Sequence, residues 1–137
     1  IPNLEKTNSR VSNSTIGWQI DHCLLVINGV IGQVEISNPT EFKSKFNFNR
    51  LIVFTTGKIP RGKIRAPKMV TPISIATAEE LKSNIEIAKN KVSKLNNLPK
   101  NSFFKHPYFN DLNVKQTEKF LAIHTKHHLK IIEDILK

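Results

Sequence analysis

Five histidines stand in this chain, and three of them fall at spacings that suit metal coordination. His124 and His128 are four residues apart, so on a helix their imidazoles sit one above the other on one face. At about 100° per residue, both lie within about 20° of the centre of a stripe made by Phe120, Leu121, Ile131, Ile132 and Ile135. Imidazoles in the middle of an apolar stripe need partners for their ring nitrogens. A shared divalent ion is one solution, because neutral imidazole is a common ligand. Hydrogen-bonded core histidines, or a pair on a partly exposed edge, satisfy the same spacing. A third ligand has to come from another segment. His22 is the candidate, in an apolar stretch and on a line with Trp18, Leu25 and Gly29. His127 falls about 80° off the stripe, on its flank. His106 precedes Pro107 and suits a hydrogen bond that holds a turn.

Other chemistries find little support. The stretch HTKHH has no glutamate after its first histidine, so it is not the helix motif of hydrolytic zinc enzymes. Glu118, Glu133 and Asp134 point away from the histidine stripe by the same helical arithmetic, which leaves no general base there. There is no Gly-rich phosphate loop and no G-x-S-x-G elbow. Cys23 follows His22 directly, and neighbours on a helix diverge by about 100°, so the two do not face each other. One cysteine excludes an internal disulfide and a multi-cysteine zinc site. It reads as a small core residue and fits a reducing, cytoplasmic setting.

The elements that must position these side chains read as four main helices with a long middle connection. A short first helix is expected at about Pro2 to Ser9, with no initiator Met before it, as if the chain began inside a longer sequence. Ser12, Asn13 and Ser14 supply cap chemistry for a second helix from about Thr15 to Glu35. That helix is apolar around most of its circumference, which predicts burial on several sides. Ser37-Asn38-Pro39 is a helix-start signal, and a secondary helix carrying Phe42, Phe46, Phe48, Leu51, Ile52 and Phe54 follows it. Thr56 to Pro72 holds two glycines and three prolines and reads as an extended loop. Thr77 with Glu80 forms a capping box for a third helix to about Asn96, with Leu81, Ile85, Ala88, Val92 and Leu95 on its stripe. KHPYFNDLN reads as a compact turn, Asn113 as a cap, and Val114 to Leu136 as the last helix.

A chain of 137 residues, 39% apolar and 23% charged, fits one folded domain. No apolar run approaches the ~18 residues a membrane span needs, and the first residues lack a signal-peptide pattern. The net charge of +10 is uneven. Eight Lys/Arg and one acid, Glu41, lie between Ile36 and Ala78. Lys58, Arg61, Lys63, Arg65 and Lys68 are expected to form an exposed basic rim at the mouth of the metal site, with Arg61, Lys63 and Arg65 as candidates for holding an anion or substrate. The basic stretch has little aromatic interleaving and no recognition-helix motif, which argues against nucleic acid.

Three motifs resemble one family: GWQIDHC around His22, HPYFNDLN before the last helix, and HTKHHLKII within it. The pattern is similar to the DinB-like, or YfiT-like, superfamily of four-helix metal-dependent proteins, and to a branch of small bacterial proteins within it. The resemblance covers essentially the whole chain, with the first helix shortened. Asn110 stands where the family's turn has Gly, a mild departure because Asn tolerates a left-handed backbone. The resemblance implies an all-α four-helix bundle as a single domain over residues 1–137, with a partly helical connection between its second and third helices. It implies a triad of His22, His124 and His128 holding a divalent ion, zinc or nickel. It also implies thiol-dependent S-transfer to small electrophiles, some relatives being isomerases or hydrolases. A non-catalytic metal-binding or stress-response bundle is the alternative. A small-molecule thiol or other small ligand is the expected partner, without nucleic acid or membrane, and a homodimer stays open.

Overall fold

The computed structural model describes all residues, Ile1–Lys137. Its first helix, α1, covers Ile16–Ile36 and begins where Thr15 can cap it, the Thr15 hydroxyl oxygen accepting the Trp18 N–H at 3.0 Å. The cap expected at Ser12–Ser14 is thus displaced to Thr15. The short helix expected over Pro2–Ser9 does not form. Those residues make turns, Asn3 takes φ 63°, and an isolated bridge joins Asn8 to Ser12. Eight residues that include Pro2, Asn3, Asn8 and Ser9 are too few and too turn-prone to nucleate a helix. Their carbonyls serve α1 instead. Leu4 and Lys6 oxygens accept the Gly17 and Ile16 N–H groups at 2.9 and 3.1 Å. Gly17 permits that approach, since a Cβ there would lie 3.2 Å from the Leu4 oxygen.

Asn38 caps only one 3-10 turn, Pro39–Glu41, after which the chain runs without regular structure to Asn47. Asn47 caps α2, Phe48–Thr56, its Oδ1 accepting the Arg50 N–H at 2.8 Å. Phe42 and Phe46 therefore lie outside the helix expected to carry them. Gly57, at φ 67°, ends α2 with the left-handed residue such termini favour. The following loop contains a single 3-10 turn, Lys68–Val70. The Thr77–Glu80 capping box forms and starts α3, Ala78–Leu95. Leu81, Ala88 and Leu95 are buried on it, whereas Val92 of the same expected stripe is exposed.

The expected compact turn is a β-hairpin, so the chain is mainly helical rather than all-α. Strand β1, Phe103–His106, pairs antiparallel with β2, Asn110–Asn113, placing Phe104 opposite Leu112. Four residues per strand give no readable alternation. Burial of Phe103, Phe104 and Leu112 makes the pairing worthwhile energetically. Asn110 takes φ 62°, a left-handed conformation that Asn tolerates. Asn113 then caps α4, Val114–Leu136, in a capping box with Gln116.

The long apolar helix α1 packs against both α3 and α4. Toward its C-terminal end, Val26, Val30, Ile31 and Val34 join Phe104, Leu112, Phe120 and Leu121 in the main core. At its other end Ile16 packs with Ile131 and Ile135 of α4. The helices α1 and α4 thus run antiparallel, and His22, His124 and His128 fall between these two apolar clusters, while a third joins Leu24 to Leu81 and Ala88 of α3. No helix is long and apolar enough to cross a membrane.

Candidate metal centre

The middle of the α1–α4 contact is a polar layer. One ring nitrogen from each of His22, His124 and His128 lies within 4.8 Å of the others. The rings contact edge-on or tilted, with centroids 4.6 to 5.1 Å apart. His22 and His128 are buried, and His124 is partly exposed.

Two of the rings are fixed from behind. The His22 Nδ1–H donates to the Val70 carbonyl oxygen at 2.7 Å. The His128 Nδ1–H donates to Gln19 Oε1 at 2.6 Å. Both acceptors are oxygens without a proton to give, so each imidazole carries its hydrogen on Nδ1 and a lone pair on Nε2. The Gln19 amide is oriented in turn, because its Nε2–H donates to the Ser12 hydroxyl oxygen at 3.3 Å. Outer partners of this kind set tautomer and ring orientation in metal-binding histidines. His124 differs, since its Nδ1 is buried with no partner at all. An unpaired buried nitrogen is costly and marks a group awaiting one. The donor set therefore suits a divalent ion: three neutral nitrogens, two of them on rings held by outer-shell oxygens.

Electrostatics keep the trio neutral, the ligating form. Burial pushes the His124 pKa down to about 2, and repulsion from His128 and His22 adds to it. Burial, then His22 and His127, pushes His128 down to about 3. Burial lowers His22 as well, against the bond to Val70 and the neighbouring Asp21 carboxylate.

The other histidines stand apart. His106 is in the hairpin, where its Nδ1 accepts the Tyr108 and Phe109 N–H groups at 3.0 and 3.1 Å and its ring stacks on Phe109. His127 meets the His128 ring edge-on, with centroids 5.0 Å apart. Cys23 is buried, and burial pushes its thiol up to about 12, so it stays protonated and unreactive.

Of the basic rim, Arg61 is tied down, donating to Asp134 Oδ2 on α4 at 3.0 Å. Lys63 and Arg65 are exposed. The loop that carries them runs on to Val70, whose carbonyl holds His22, so its far end reaches the centre. Gln19 and Val70 are the residues that sequence reasoning missed. Gln19 stands three before His22 on an apolar helix, a polar side chain on the same face, and that was a usable signal. Val70 acts through a backbone carbonyl 48 residues away, which no side-chain pattern announces.

A cavity of about 550 Å³ lies by the hairpin, bordered by Lys43, Lys45, Lys105 and His106. Another, of about 330 Å³, lies at the start of α1 and is bordered by Trp18, whose ring stacks on His22 with centroids 5.0 Å apart. No protein-family model, curated protein or solved structure matches the chain.

Proposed function

We propose that the chain is a divalent-metal-dependent enzyme of the DinB-like type, with zinc or nickel held by His22, His124 and His128. The observation that carries this reading is the fixing of His22 and His128 through Nδ1, beside an unpaired His124 nitrogen. A bound ion there supplies Lewis acidity that lowers the pKa of a thiol or water placed on it. The proposed reaction is thiol-dependent S-transfer. The thiol sulfur bonds to a small electrophile, the leaving group departs with its electron pair, and the thiol proton passes to solvent.

In this reading the chain's own residues orient and shield. Val70 and Gln19 hold the imidazoles in their ligating tautomers, and the apolar clusters on either side keep the layer dry. The partly exposed His124 side gives a small ligand its approach. Lys63 and Arg65 add a positive field for an anionic thiol, and Arg61 fixes their loop to α4.

The burial of His22 and His128 favours a second reading, a non-catalytic metal-binding or stress-response bundle. Metal-loaded protein incubated with low-molecular-weight thiols and a generic electrophile, beside a His128→Ala variant, separates the two. The enzyme reading expects conjugation clearly faster than the variant's with at least one thiol. Rates equal to the variant's across the panel overturn it.

A further inference from the structure

The cavity at the start of α1 has a lining unlike the rest of the molecule. In a chain of net charge +10, its one charged residue is an acid, Asp21. None of the three ion pairs involves Asp21. Glu80 lies close enough to add to the negative field there. The cavity lining also takes in Pro72–Ala76, and Ile73 and Ile75 there are 101% and 74% exposed, so the cavity is open on that side. Trp18 completes it as the only tryptophan in the chain.

A helix start ordinarily favours an anion, because its first N–H groups lack partners. Here they are taken. Ile16, Gly17 and Trp18 donate to the Lys6 oxygen, the Leu4 oxygen and the Thr15 hydroxyl, and Gln19 donates to the Thr15 carbonyl. What remains is one carboxylate, an indole, uncovered apolar surface and the neutral polar side chains of Asn13, Ser14 and Ser74. A hard metal ion is a poor occupant, since a single carboxylate among neutral oxygens leaves most of its charge uncompensated. A volume of about 330 Å³ is at the lower end of small-ligand cavities, which start at roughly 300 Å³.

We propose that this cavity binds a small organic cation, its ammonium group against Asp21 and Trp18 and its apolar body over Ile73 and Ile75. Carboxylate and indole together are the pairing that recognises an alkylated ammonium. The site stands independently of the metal reading, although Trp18 joins it to His22.

The test uses Trp18 fluorescence in the purified full chain at constant ionic strength. The probes are choline and its neutral isostere 3,3-dimethyl-1-butanol. Choline is expected to give a saturable change, with the isostere at least about fivefold weaker. Asp21→Asn, with helicity checked by circular dichroism, is expected to lose about fivefold in choline affinity and nothing for the isostere. The response is expected in both metal-stripped and zinc-loaded protein. No saturable change up to about 100 mM, or equal affinity for the two probes, overturns the proposal. So does a response confined to the zinc-loaded form, which would place the ligand on the ion. If Asp21→Asn does not fold, the comparison of the two probes on the unaltered chain still decides.

Discussion

At the scale of single residues, the centre depends on side chains that do not themselves face its middle. Gln19 holds the His128 ring by one bond and is held by Ser12 through another. Replacing Gln19 by Leu keeps the volume and removes the bond. It is expected to weaken zinc binding by about 10- to 100-fold, measured by competition with a chelator, with helicity unchanged. His106 makes a separate prediction. Burial pushes its pKa from 6.5 down to about 4, so the unfolded chain takes up its proton first as pH falls. Its contribution to stability is whole above pH 6.5, declines between 6.5 and 4, and is gone below, amounting to at most about 3 kcal/mol. His106→Asn keeps an acceptor for the Tyr108 and Phe109 N–H groups and removes the titration. Metal-free urea unfolding should therefore depend less on pH in the variant than in the parent over that interval. The three histidines of the centre were legible from the i,i+4 pair and the apolar setting of His22. The outer partners were less so, because a glutamine amide and a loop carbonyl carry no spacing rule.

At the scale of elements, the long helices were legible because they are long. Over some twenty residues, periodicity and cap reinforce one another in α4, and α1 is marked by its long apolar run. The failures are short pieces decided by their neighbours. Residues 2–9 give up their carbonyls to α1, and Phe103–His106 becomes a strand because Phe103 and Phe104 have a core to enter. Asn113 is the point where two elements meet, ending β2 and capping α4 with Oδ1 on the Gln116 N–H at 3.0 Å. Asn113→Ala should cost about 1 kcal/mol in denaturant unfolding, with metal stoichiometry unaltered, since the histidines lie more than two turns further along. A loss of metal without a loss of stability would contradict this division of roles.

At the scale of the whole molecule, the helix α1 contributes to all three apolar clusters, and its polar interruption coincides with that of α4. A layer of three neutral imidazoles, two of them buried, weakens a core unless something satisfies it. In the proposed metal centre a divalent ion does so. The most direct measurement is elemental analysis of protein purified without a metal-binding tag, before and after equilibration with zinc and nickel, beside His124→Ala. The predicted result is about one ion per chain in the parent, with a raised melting temperature on loading. The same analysis should find far less than one in the variant while its helicity stays the same. A parent chain that takes up neither ion, or a His124→Ala variant that retains as much metal as the parent, would contradict it.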